Sequence, residues 1–210
     1  MTRLTSLVGV CLVALVLATP AAAQVGQGIL DLNAVPEATL ATLPGMNAGI
    51  AKAFVAARPF PTIVEANAFL LGQKLTQEQL TPLYEKAFVH VNLNTATRDE
   101  IMLIPGAGAR MAREFAEYRP WKTWAQFDKE ISKYVGAGET ARLAQYCFIP
   151  VNLNSASDAD LQRIPGVGTR MLHEFKEYRP WKSKEQFEKE ITKYVGAAET
   201  ARLWRYVVIQ

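Results

Sequence analysis

The chain has 210 residues, half of them apolar, and carries 23 Lys+Arg against 20 Asp+Glu, a formal net charge of +3. That composition supports a buried core and excludes a low-complexity or disordered chain. The charge is only weakly basic, short of the strongly basic surface usual in a non-specific nucleic-acid binder.

Residues 1–23 read as a secretory signal peptide. Arg3 supplies a minimal basic region, Leu7 to Leu17 an apolar core, and Ala21-Ala22-Ala23 a small-residue cleavage site before Gln24. The apolar core falls short of the roughly 20 residues that span a bilayer. Retention as an uncleaved anchor is the alternative. Cys11 lies inside the apolar core and not at the cleavage point, so lipid attachment is not expected. The expected location is therefore outside the cytoplasm, in a periplasm or secreted. The mature chain from Gln24 keeps one cysteine, Cys147, so no intramolecular disulfide is available, and loss of Arg3 leaves 22 basic against 20 acidic residues, or +2.

Segment 91–150 aligns with 151–210 without a gap, and 36 of the 60 positions are identical. These are duplicated units. Val91-Asn92-Leu93-Asn94 matches Val151-Asn152-Leu153-Asn154, and Tyr118-Arg119-Pro120-Trp121 matches Tyr178-Arg179-Pro180-Trp181. Residues 24–90 contain a diverged first copy: Leu32-Asn33 precedes Pro44 by the interval that separates Leu93-Asn94 from Pro105. Arg58-Pro59-Phe60 stands where Arg119-Pro120-Trp121 stands.

Caps and periodicity place four short helices in each unit. In the second, Thr97 with Glu100 forms a capping-box pattern, and Ile101 and Ile104 follow on one face. Pro105-Gly106 ends that helix. Met111, Phe115 and Tyr118 mark the next, which Pro120 stops. Thr123 with Gln126 opens a third, striped by Trp124, Phe127, Ile131 and Tyr134. Gly136-Ala137-Gly138 breaks the chain before a last helix carrying Leu143 and Tyr146. The third unit repeats this order, and the first keeps Thr62 with Glu65 and Thr76 with Gln79. Residues 87–91 and 147–151, rich in β-branched side chains, read as short extended connectors. The expected fold is all-α: three tandem double helix-hairpin-helix domains.

The turns carry the candidate chemistry. Ile104-Pro105-Gly106-Ala107-Gly108 and Ile164-Pro165-Gly166-Val167-Gly168 each deliver backbone N–H groups to the start of a helix, where the dipole is positive and those donors lack intrahelical partners. Such a turn suits a backbone phosphate of nucleic acid. A Cβ at Gly106, Gly108, Gly166 or Gly168 would hold a phosphate off. Arg110 and Arg170 stand at the helix mouths, with Arg113 further along; His173 replaces Arg113 in the third unit. The weaker candidates are Gly45, in a turn whose second glycine is Asn47, and Gly136, Gly138 and Gly196, which Glu139 and Glu199 follow. A carboxylate there occupies the positive dipole end itself. The bland alternative is that Pro-Gly-x-Gly only turns a corner. Trp121, Trp181 and Trp124 are expected in the core rather than as base-stacking platforms, and Arg58, Arg119 and Arg179 as caps on helix carbonyls.

The run Val91-Asn92-Leu93-Asn94-Thr95-Ala96, then Ile104-Pro105-Gly106-Ala107-Gly108, then Tyr118-Arg119, resembles the ComEA helix-hairpin-helix family. Val135-Gly136-Ala137-Gly138-Glu139 resembles its second hairpin. The resemblance covers 91–150 and 151–210 and extends weakly to 30–90. It implies an exported or anchored receptor that binds duplex DNA without sequence preference in natural transformation. The chain departs from the family in having three copies, Asn47 for a glycine, Ala198 where Gly138 stands, and Leu172 where Ala112 stands. The first unit, through Pro44-Gly45-Met46 and Leu75 to Leu80, is also similar to the lumenal extrinsic subunit of photosystem II, in which the same double hairpin is purely structural.

No nucleotide loop, nucleophile–base motif or metal-ligand spacing appears, so neither an enzyme, a cofactor nor a metal is expected. The leading expectation is an exported, non-catalytic binder of double-stranded DNA. The rival is a periplasmic structural or adaptor protein, for which an exposed apolar groove between units would speak.

Overall fold

The computed structural model describes residues 28–210; the expected signal segment lies outside them. The fold is mostly helical. The first segment holds β1 (Leu30–Asp31), α1 (Glu37–Leu40), α2 (Ala48–Ala57), α3 (Ile63–Gly72), α4 (Gln77–Tyr84) and β2 (Ala87–Phe88). The second holds β3 (Val91–Asn92), α5 (Arg98–Met102), α6 (Ala109–Glu117), α7 (Trp124–Ala144) and β4 (Cys147–Phe148). The third repeats it with β5 (Val151–Asn152), α8 (Asp158–Gln162), α9 (Thr169–Glu177), α10 (Lys184–Trp204) and β6 (Val207–Val208). The helix α7 breaks at Gly136 (φ +76°) and α10 at Gly196 (φ +79°), so the expected turn is present in each. Among the described residues, no helix is long and apolar enough to cross a membrane.

The extended stretches expected as connectors also close their own segments. Each strand pair is parallel and joins a segment's start to its end: Leu30 with Ala87, Val91 with Cys147, and Val151 with Val207. A second closure comes from the repeated asparagine. Asn94 Nδ2 donates to the Trp121 carbonyl at 3.0 Å, and its Oδ1 accepts the Trp121 N–H at 2.6 Å. Asn33 does the same to Phe60, and Asn154 to Trp181. The repeated Leu-Asn and Arg-Pro-aromatic phrases are thus two halves of one clamp, and the Arg-Pro peptide bonds are cis in all three segments.

Three expectations about side chains are revised here. The side chains of Arg58, Arg119 and Arg179 do not cap the helices they follow. They reach back to carbonyls of their own segment's entry loop: Val35, then Leu93 and Ala96, then Ala156. Thr123 caps α7, but the Gln126 amide turns to the Lys122 N–H, so no full capping box forms. Trp121 and Trp181 are core residues, each donating its indole N–H to a carbonyl of the preceding helix. Trp124 is only half-buried, between two cores.

One hydrophobic core runs through the first and second segments, and a separate one fills the third. A buried polar clasp ties the third segment back to the first. Arg202 Nη1 meets Asp31 Oδ2 at 3.1 Å, Tyr206 donates its hydroxyl to the same oxygen, and Arg205 donates to the His90 carbonyl.

His90 is fully buried at this junction. Burial, with the charges of Arg205 and Arg202, pushes its pKa below the ordinary value against the pull of Asp31. The unfolded chain therefore takes up the proton first, so stability is full above about pH 6.5 and is lost as pH falls. Urea midpoints measured from pH 7 to 5 are expected to fall, and His90→Leu is expected to flatten that slope. An unchanged slope in the variant would place the acid sensitivity elsewhere.

Candidate nucleic-acid interface

The turn 105–108 is built by one positive φ and one open helix start. Gly106 holds φ +78° and Gly166 φ +82°, a region that costs any other residue. Gly108 and Gly168 are the N-caps of α6 and α9, with extended backbone and no side-chain cap. A Cβ at either would meet nothing within 4 Å, so the space where a capping side chain would start is empty. The first segment differs. There Asn47 caps α2 with its own side chain, its Oδ1 accepting the Ile50 N–H at 3.0 Å. The place an external anion would take is already filled.

The arginines divide the same way. Arg110 is exposed, with its guanidinium over the Tyr134 ring at 4.9 Å, and Arg170 lies over Tyr194 at 5.3 Å. A cation in the first turn of a helix is disfavoured by the dipole unless an anion joins it. Stacking on tyrosine keeps each arginine there. Those tyrosines are themselves fixed by hydroxyl–hydroxyl bonds, Tyr118 to Tyr134 and Tyr178 to Tyr194. Arg113 is exposed and touches Glu114 at 3.4 Å, while His173 pairs with Glu177. In the first segment Gly49 stands where Arg110 stands, so that turn has neither the open cap nor the cation.

Two steric expectations change. Gly106 and Gly166 are exposed, but the direction a side chain would take is occupied. A Cβ on Gly106 would lie 3.0 Å from Arg142 Nη2, and one on Gly166 2.9 Å from Arg202 Nη2. Both arginines donate to the proline carbonyl of the turn at 2.6 Å. All four glycines are exposed, but only Gly108 and Gly168 have room for a side chain. Gly45 is exposed too, but a Cβ there would lie 3.3 Å from the Gln79 carbonyl oxygen.

Glu139 and Glu199 are the second change. Three residues past each break, their carboxylates are engaged by an arginine of the same helix. Glu139 takes two bonds from Arg142, both 2.7 Å, which hold its carboxyl below the usual range. Glu199 binds Arg202 in the same way. The first and second turns of a segment are thereby tied together, and Gly136, Gly138 and Gly196 meet nothing within 4 Å. Arg142 and Arg202 carry this link, and sequence reasoning gave them no role. Their repeated Glu-x-x-Arg spacing after the second turn was the available signal. They differ in setting: the Arg142 side chain is 35% exposed, whereas Asp31 and its neighbours leave Arg202 at 1%.

Comparison with protein-family models, with characterised proteins and with solved structures finds no match to this chain.

Proposed function

We propose that the chain is an exported, non-catalytic protein of three tandem double helix-hairpin-helix domains, similar to the ComEA family, that grips duplex DNA by its phosphates. The turns at Gly108 and Gly168 are the grips. Arg110 and Arg170 supply the paired charge, since an arginine–phosphate bond is both charged and directional. The first domain serves as structure. The observation that carries this reading is the contrast at one position: open glycine caps beside an exposed arginine in two domains, and the self-capping Asn47 beside Gly49 in the first. Contacts of this kind go to the backbone and read no sequence.

Fluorescence anisotropy of a labelled blunt duplex across a salt series tests it. Log affinity should fall with log salt at about −0.9 for each phosphate neutralised. Arg110→Gln with Arg170→Gln should weaken binding and make that slope shallower by about two. A folded variant that binds as before would sink the role of the turns. The rival reading, an envelope adaptor for other proteins, draws on the modest net charge and predicts no duplex binding at low salt.

A further inference from the structure

The junction between the second and third segments is not closed as the first junction is. Ile63, Trp124 and Lys184 occupy the same place in the three repeats. Ile63 is fully buried within the core shared by the first two segments. Lys184 is exposed at the far end. Trp124 is intermediate: it touches both cores but keeps part of its ring accessible, and it lines a groove of about 990 Å³ between the two segments. That volume is at the upper end for small-ligand sites, about 300–1,000 Å³.

The groove is mixed in character, with apolar side chains such as Ile149 and Val208 beside polar and charged ones. Trp124 supplies the aromatic surface, Phe148 behind it being buried, Asn92 and Asn152 supply amides, and Lys122 and Arg163 bring positive charge. Asp160 also lines the groove and stays charged, its Oδ2 accepting the Ser157 N–H and hydroxyl in the cap of α8. Lys122 and Arg163 against this one carboxylate still leave the side-chain charge of the lining positive. A peptide adding to a sheet edge is poorly served, because each strand here is two residues long. An aromatic face flanked by cations and amides suits a base and its phosphates.

We propose that this groove takes unpaired nucleotides of a single DNA strand, one base against Trp124 and phosphates on Lys122 and Arg163. Ile164, in the groove wall, is the residue directly before Pro165 of the third segment's turn. A duplex held at Gly168 would have the groove wall four residues away in the chain. The route from duplex to groove rests on the duplex-gripping reading; the groove itself does not.

The test uses the full mature chain with three probes: a blunt duplex, the same duplex with an oligo-dT tail, and free oligo-dT, read by anisotropy and tryptophan fluorescence. The tailed duplex should bind more tightly than the blunt one, and oligo-dT should quench tryptophan emission. Lys122→Gln with Arg163→Gln, both at polar positions, should remove most of the gain from the tail and leave blunt-duplex binding unchanged. Trp124→Phe should abolish the quenching, and Trp124→Ala should weaken oligo-dT binding at least fivefold. Should Trp124→Ala misfold, the Lys122/Arg163 variant still decides. Binding of oligo-dT without any blunt-duplex binding keeps the groove and removes the duplex grip. Blunt-duplex binding with no gain from the tail, or a tail effect untouched by all these variants, overturns the groove proposal and keeps the grip. Saturable binding of an acidic aromatic peptide in the groove, with no response to oligo-dT, overturns it in favour of a protein partner.

Discussion

Asp31→Ala is expected to cost about 3 kcal/mol or more of folding stability, the cost of leaving a buried charge without its partner. The Asp31 carboxylate is buried where it accepts Arg202 Nη1 and the Tyr206 hydroxyl on one oxygen and the Asn33 N–H on the other. Without it, Arg202 keeps Glu199 and the Pro165 carbonyl, but Nη1 faces the junction unpaired and the tyrosine hydroxyl loses its acceptor. Asp31→Ala with Arg202→Met should recover much of the loss, because exchanging the whole buried pair for apolar groups is far cheaper than removing half of it. Arg142→Met is the control. Arg142 makes the same bonds to Glu139 and to the proline carbonyl, but it is exposed to solvent and has no cross-segment carboxylate, so about 1 kcal/mol is expected. Urea unfolding followed by tryptophan emission reads all four proteins. Equal losses for Asp31→Ala and Arg142→Met would show that the clasp adds nothing to the local turn.

The contrast between those two arginines marks what the sequence could and could not reveal. Features set by neighbours in the chain were legible. Thr97 and Glu100 form their reciprocal cap, Thr76 and Gln79 do the same, and the helix breaks at Gly136 and Gly196 lie where glycine was expected to interrupt the apolar stripe. Features set by residues far apart were not. A parallel bridge of two residues carries almost no periodic signal, so 87–88 and 147–148 read as connectors although they pair with their segments' own starts. The Asn94 clamp spans 27 residues and the Asp31–Arg202 pair 171. Aligning the copies against one another would have exposed the second of these, because Asp31 stands where Asn92 and Asn152 stand. A carboxylate present in one repeat alone points to a partner that only that repeat meets. Within the candidate site, the glycines and Arg110 were visible as a pattern. Which glycine leaves room for a side chain was not, because the arginine in the Cβ direction of Gly106 arrives from the second turn.

That distinction permits a substitution that separates function from stability. Gly108→Asn with Gly168→Asn should stabilise the fold and remove duplex binding. The backbone at both positions is extended, φ −99° and −91°, so asparagine fits without strain, and no atom lies within 4 Å of the added Cβ. By the geometry of Asn47 on Ile50, the new amides would accept the N–H groups of Met111 and Met171. Replacing an uncapped glycine in this way should gain about 0.5–1 kcal/mol at each site, from the cap and from reduced freedom of the unfolded chain. The same carboxamide fills the space a phosphate would use and takes a donor from it. Loss of a charged hydrogen bond costs about 1.5–3 kcal/mol, so affinity should fall roughly tenfold or more at each turn. The reverse change, Asn47→Gly, should not create a third grip, because Gly49 offers no cation there. A raised thermal midpoint with duplex affinity intact would mean that the turns only join helices, and the partner of this chain would then be sought among proteins.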